Sequence, residues 1–181
     1  IYYHKTMLKP ICSKYNGIIT ISGPTRSGKS QLAEYLIKDQ ISITYIATSK
    51  VRENDPQWTK RIKIHRERRP SSWKVIEHPN DICKTINSLG KNEAILLDSL
   101  GGLVEQHIME DDLQWKLFQH KFVKCLKNKA KGCIFIVSEE VGWGLVPATP
   151  IGHLFRERHC EIFLSLSRIA TKKWLAVNGT A

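Results

Sequence analysis

The sequence predicts an α/β fold, a mostly parallel sheet with helices on both faces. Three observations predict it. Short β-branched apolar runs alternate with helical patterns along the chain, the sign of strands joined by crossover helices. Residues 23–30 read Gly23-Pro24-Thr25-Arg26-Ser27-Gly28-Lys29-Ser30, which fits the phosphate-loop pattern G-x-x-x-x-G-K-[ST] at every fixed position. Ala94-Ile95-Leu96-Leu97-Asp98 is an apolar run closed by a carboxylate, the form of a buried strand with a charged end.

In chain order, residues 1–16 carry basic and scattered apolar residues, with no signal-peptide core and no small-residue cleavage site. They are expected to form a poorly ordered extension, with Met7 as a candidate start. Residues 17–181 contain no repeat, low-complexity tract or linker, so one nucleotide-binding domain is expected. Strands are expected over 18–22, 42–48, 73–77, 94–98, 133–138 and 174–178, each an apolar or β-branched run. Helices are expected over 29–39, 55–68, 79–89, 111–129 and 150–170. The first places Leu32, Leu36 and Ile37 on one face. In the second, Trp58, Ile62 and His65 share a face, and Pro70 stops the helix. In such a sheet, ligands sit at the carboxyl ends of the strands.

Composition narrows the function. The hydrophobic content is 41% of 181 residues, and no apolar run approaches a membrane span. Cys12, Cys83, Cys125, Cys133 and Cys160 are scattered without a C-x-x-C pair. That argues against a disulfide framework and a zinc site, and for a reducing, cytoplasmic compartment. The net charge of +11 suits an anionic partner. Nine Lys/Arg fall between Lys50 and Lys74, and five Lys between Lys121 and Lys131. The second group reads as the solvated face of a helix whose other face carries Phe118, Phe122, Cys125 and Leu126.

The glycine loop supplies the first chemistry. Its backbone N–H groups can cradle phosphate oxygens, and Lys29 adds a point charge near the β- and γ-phosphates. The Ser30 hydroxyl can sit on Mg²⁺. Asp98 can hold the same ion from the end of its strand, directly or through water. A plain cap for the following segment is the other reading of Asp98.

The stretch Arg61-Ile62-Lys63-Ile64-His65-Arg66-Glu67-Arg68-Arg69-Pro70 supplies the second. Arg61 and Arg68 flank His65 at i−4 and i+3. Cations around an imidazole disfavour imidazolium, and a neutral ring nitrogen can attack phosphorus. An ordinary surface histidine in a charged helix is the competing reading.

In order along the chain stand Arg26-Ser27-Gly28-Lys29-Ser30, Tyr45-Ile46-Ala47-Thr48-Ser49, Arg61-Ile62-x-x-His65 with Arg69-Pro70, Trp73 and Glu77. Leu96-Leu97-Asp98, Ser138-Glu139-Glu140-Val141-Gly142-Trp143-Gly144-Leu145-Val146-Pro147 and Phe155-Arg156-Glu157 follow. Together these resemble the bifunctional adenosylcobinamide kinase / adenosylcobinamide-phosphate guanylyltransferase family of cobalamin biosynthesis, over residues 18–179. The resemblance implies a RecA-like P-loop NTPase fold and a homo-oligomer, a trimer. It implies that ATP or GTP phosphorylates adenosylcobinamide. It further implies that His65 takes GMP from GTP and passes it to adenosylcobinamide phosphate, giving adenosylcobinamide-GDP. Gly23 to Ser30 would hold the triphosphate. Thr48, Ser49, Lys50, Arg66, Glu67, Arg68 and Arg69 would lie beside the nucleotide, and Glu77 and Asp98 would contact guanine or Mg²⁺.

The chain departs from the family pattern at two places. Ser99-Leu100-Gly101-Gly102 replaces a Cys-Leu-Thr type continuation, and Cys160-Glu161-Ile162-Phe163-Leu164 replaces a Gly-Arg-x-Asn-Gln segment. Three other readings follow. One is a P-loop small-molecule kinase without guanylyltransferase activity, and another a nucleotide-binding relative that keeps only one activity. The last, a nucleic-acid module using the two basic clusters, is disfavoured by the complete nucleotide loop and the few aromatics within those clusters.

Overall fold

The computed structural model describes residues 15–50, 54–129 and 132–181, with the backbone alone at position 61. The expected extension lies almost wholly outside the described residues. Tyr15 is described, and its ring meets Phe135 edge-on at 5.4 Å.

Six strands form one sheet in the order β3-β2-β4-β5-β1-β6. They are β1 (Gly17–Gly23), β2 (Ile43–Ala47), β3 (Lys74–Glu77), β4 (Ala94–Asp98), β5 (Cys133–Glu139) and β6 (Lys172–Leu175). Every neighbouring pair is parallel. Six helices connect them: α1 (Lys29–Ile37), α2 (Pro56–Arg68), α3 (Ile82–Ser88), α4 (Leu100–Gln106), α5 (Asp112–Lys129) and α6 (Pro150–Ile169). This is the expected α/β architecture.

Side chains alternate across the strands, so the sheet buries both faces. Ile18, Ile46, Ile95, Leu97, Ile134 and Ile136 point to one face, under α3, α4, α5 and α6. Ile19, Ile21, Tyr45, Leu96, Phe135 and Val137 point to the other, where Leu32, Ala33 and Ile37 of α1 meet them. Each such aliphatic side chain, fully buried, contributes about 1.5–3 kcal/mol.

The expected elements appear with shifted ends. Helix α3 begins at Ile82, because the Asp81 carboxylate accepts from Lys84 N at 2.9 Å and caps it. The last strand is expected over 174–178 but runs Lys172–Leu175. Beyond it the chain turns back, with Asn178 and Gly179 at positive φ and a bridge from Val177 to Thr180. Helix α4 has no counterpart in the sequence reading, because Gly101-Gly102 looks like a loop. The glycines are there for space. A Cβ on Gly102 would lie 2.5 Å from Thr48 Oγ1 and 2.6 Å from Ser49 Oγ.

Two local features matter for the site. Helix α2 buries none of its described side chains. Asp55 caps it by accepting from Trp58 N, Pro56 sits in its first turn, and Arg68 ties it to Glu34 of α1. In α5, Phe122, Cys125 and Leu126 are buried while Lys121, Lys124 and Lys127 face solvent. No helix among the described residues is long and apolar enough to cross a membrane.

Candidate active site

All six strands run the same way, so their carboxyl ends share one edge of the sheet. A cavity of about 170 Å³ opens there. It is lined by residues at or beyond the ends of β1 (Lys29, Ser30), β2 (Ser49, Lys50), β3 (Glu77, His78), β4 (Asp98, Ser99) and β5 (Glu139), with Trp58, Ile62, His65, Arg66 and Arg69 from α2 and its end.

The glycine loop leaves β1 at Gly23, where a Cβ would collide with Ala176 O at 2.3 Å. Gly28 has φ 91° and Arg26 φ 62°, so the chain passes through left-handed conformations before entering α1. Gly28 occupies the N-cap, and no side chain caps that helix end. Such a terminus attracts anions. Lys29 is buried, with Nζ donating to Pro24 O at 3.1 Å. The Ser27 hydroxyl is buried without a hydrogen-bond partner. Thr25 and Arg26 are exposed on the outer side of the loop.

Asp98 is the hub of the cavity. Its Oδ1 accepts from Ser30 Oγ at 3.4 Å. Its Oδ2 accepts from the Tyr45 hydroxyl and lies 3.7 Å from His65 Nδ1. Burial and then the Asp98 charge push the Tyr45 phenol well above its ordinary range, so it stays a donor. The Arg69 guanidinium lies over the Tyr45 ring, 3.7 Å from its centre. Arg69 Nε is buried without a hydrogen-bond partner.

His65 Nδ1 also lies 3.3 Å from Arg68 Nη2. The two neighbours favour different tautomers. Arg68 needs a lone pair on Nδ1, whereas Asp98 needs a proton there. A bidentate pair with Glu34 uses Arg68 Nε and one N–H of Nη2, at 2.5 and 2.7 Å, and leaves the second Nη2 N–H for His65. Arg68 stands at hydrogen-bond distance and Asp98 at ion-pair distance, and Nε2 carries the nucleophilic lone pair in the tautomer whose Nδ1–H turns to Asp98. The surroundings of His65 are therefore of both signs, not cationic alone as the helix sequence suggests.

Ser30 and Asp98 bring oxygen donors together. A hydroxyl and a carboxylate oxygen stand 3.4 Å apart beside the phosphate loop. Among the described residues, no cluster of three or more His, Cys, Asp or Glu could hold a metal. One carboxylate and one hydroxyl fit Mg²⁺, which keeps waters and takes substrate phosphates as further ligands.

The other expected residues divide. Ser49, Lys50, Arg66, Arg69 and Glu77 line the cavity. Arg66 binds Glu77 through two hydrogen bonds, at 2.8 and 2.7 Å, and holds its carboxyl below the usual range. Three residues are not brought to the cavity. Thr48 is fully buried and braces Ser99, donating to its carbonyl at 2.5 Å and accepting from its N–H at 3.0 Å. Glu67 is exposed and pairs with Lys63 at 3.8 Å, because two residues of helix turn it away from His65. Arg68 supports His65 from behind. The Arg61 side chain lies outside the described residues.

Sequence reasoning missed Tyr45, His78, Ser99 and Glu139. Tyr45 gives no signal, since it reads as strand core. Glu139 is the last residue of β5, and the strand-end rule alone would have found it. Its side chain meets the cavity, yet its oxygens are engaged. Oε1 accepts from Ser99 Oγ, and Oε2 accepts from Gly101 N at 2.9 Å and lies 3.5 Å from His159 Nε2. Burial works to raise this carboxyl, but hydrogen bonds from His159 and Ser99 outweigh it and hold it down to about 2.

Residues 19–181 match the family model described as cobinamide kinase / cobinamide phosphate guanyltransferase. The chain belongs to that family. Two curated relatives agree with it. One is the bifunctional adenosylcobalamin biosynthesis protein CobU of Escherichia coli strain K12. It is 30% identical over 178 residues, covering 90% of this chain and 96% of the relative. The other is the bifunctional adenosylcobalamin biosynthesis protein CobP of Pseudomonas aeruginosa. It is 34% identical over 139 residues, covering 75% of this chain and 77% of the relative. A solved Pyrococcus horikoshii structure, 9% identical, covers 92% of this chain and 84% of its own, with a TM-score of 0.51. That last likeness concerns the fold alone. In this member of the cobinamide kinase / guanyltransferase family, Lys29 and Ser30 of the phosphate loop line one cavity with His65 and Asp98.

Proposed function

We propose that this chain carries out both reactions of its family on adenosylcobinamide. In the first, a nucleoside triphosphate, ATP or GTP, phosphorylates the substrate hydroxyl. In the second, His65 takes GMP from GTP and gives it to adenosylcobinamide phosphate. The observation that carries the reading is His65 facing Asp98 at 3.7 Å inside the cavity that also holds Lys29 and Ser30.

The transfer follows from those groups. The His65 Nε2 lone pair attacks the α-phosphorus, forming a P–N bond. The P–O bond to the β-phosphate breaks, and pyrophosphate leaves with the electron pair. Asp98, 3.7 Å from Nδ1, stabilises the positive charge that develops on the ring and would accept the Nδ1 proton in a hydrogen bond on closing. Arg69, stacked on Tyr45 with an unpartnered Nε, is a donor ready for the oxygens of the attacked phosphate. A phosphate oxygen of the acceptor then attacks the same phosphorus, and the P–N bond breaks to restore His65. Ser30 and Asp98 would hold Mg²⁺, which when bound neutralises charge on the phosphates.

α-Labelled GTP supplied with Mg²⁺ should leave an acid-labile, alkali-stable label on the protein, and His65→Ala should abolish it. An undiminished label on His65→Ala, or no label on the wild type, would defeat the transfer step. Phosphoryl transfer surviving His65→Ala without any label would instead favour a plain kinase. A trimeric assembly in the cytoplasm belongs to the same proposal. Sedimentation at working concentration tests the trimer.

A further inference from the structure

We propose that the Trp58 indole is the platform on which the purine of the bound nucleotide stacks. This deepens the proposal above and rests on it for the orientation of the nucleotide. Trp58, Ile62 and His65 stand at i, i+4 and i+7 on α2, and all three line the cavity. The span from 58 to 65 is about 10 Å along the helix axis. The phosphate loop, with Lys29 and Ser30, holds the triphosphate end of the same cavity. A nucleotide with its α-phosphate at His65 and its terminal phosphates at Lys29 must send its base away from the loop. Along α2 that direction leads past Ile62 to Trp58.

The indole is held in place for such a role. Its Nε1 donates to Lys50 O at 2.9 Å, and its backbone N–H is bound by the Asp55 carboxylate at 2.9 Å. The ring is half-buried, so it keeps a surface toward the cavity instead of sinking into the core. An aromatic ring that lines a nucleotide site can stack on the base, and every base has a π-face. Stacking reads the face of the base and not its edge, so the platform serves ATP and GTP alike.

The test compares binding of GTP, ATP and inorganic tripolyphosphate to the wild type, Trp58→Ala and Trp58→Phe, each with Mg²⁺. Tripolyphosphate engages the loop but has no base. Trp58→Ala should weaken GTP and ATP by about 5- to 150-fold. It should leave tripolyphosphate unchanged, and Trp58→Phe should restore most of the nucleotide affinity. Unchanged nucleotide binding in Trp58→Ala would overturn the proposal. So would an equal loss of nucleotide and tripolyphosphate, which would mark a structural role. These measurements need no guanylyl transfer, so failure of the platform is separable from failure of the His65 label.

Discussion

His65 Nδ1 lies 3.7 Å from Asp98 Oδ2, while the other oxygen of the same carboxylate accepts from Ser30. One acid thus touches both the histidine and the hydroxyl of the phosphate loop. Asp98→Asn should therefore damage two steps together. Label formation on His65 should fall by about 10²-fold, as when an orienting carboxylate is removed from a histidine. Phosphorylation should fall as well, whereas His65→Ala should spare it. Rapid-quench labelling and a kinase assay on the two variants check this.

Tyr45 donates to Asp98 from within the core and carries the Arg69 guanidinium on its ring. Tyr45→Phe keeps the ring and removes the donor. Folding stability should drop by about 1 kcal/mol, the net worth of one hydrogen bond. Labelling should slow while nucleotide affinity stays near that of the wild type, because Arg69 keeps its seat. Denaturant titration and labelling kinetics read the two effects.

Lys29 is buried with its ammonium on Pro24 O, inside the loop. Lys29→Ala should weaken GTP and tripolyphosphate together, by at least about tenfold for a charge-assisted contact worth roughly 1.5–3 kcal/mol. Calorimetric titration of both ligands checks this. Equal affinity for the variant and wild type would mean that the loop does not hold the phosphates.

Glu139 titrates near 2 in the fold, below its unfolded value of about 4.3. A lowered carboxyl contributes stability that is complete above the unfolded value and is lost as pH falls through the folded one. The wild type should therefore exceed Glu139→Gln in stability at neutral pH, by roughly 1–2 kcal/mol after allowing for solvent screening. The gap should narrow between about pH 4.5 and pH 2. Melting curves of both proteins across that range test it. A gap independent of pH would contradict the assignment.

Gly102 faces Thr48 and Ser49 with no room for a methyl group. Gly102→Ala forces α4 away from the end of β2 and should destabilise by about 1–3 kcal/mol. Gly101→Ala meets a side chain instead of backbone, and should act by pushing the Glu139 carboxylate off Ser99 and His159. Chemical denaturation ranks the two.

Much of this was legible in the residues. The sheet follows from apolar runs with the right spacing, and its parallel sense from the helical segments between them. The loop, Asp98 and His65 follow from local patterns and meet in one cavity. What was hidden depends on distant parts of the chain. The hydroxyl of Tyr45 matters only because β2 and β4 are neighbours, a pairing no local pattern reveals. Helix α4 was masked by two glycines whose reason is contact with distant residues, Thr48 and Ser49 for Gly102 and Glu139 for Gly101. Position within a motif also misled: Glu67 sits beside His65 in sequence but on another side of the helix.

Helix α2 carries His65 and Trp58 yet buries none of its described side chains, and ion pairs of Arg66 and Arg68 fasten it. Lifting it would expose only the covered parts of half-buried side chains, chiefly Trp58 and Ile62. Such an opening would have a small heat-capacity signature and would respond to ionic strength more than to temperature. The nucleophile therefore rides on a helix held more by charge than by a buried apolar face, with Arg66–Glu77 the pair open to screening by salt.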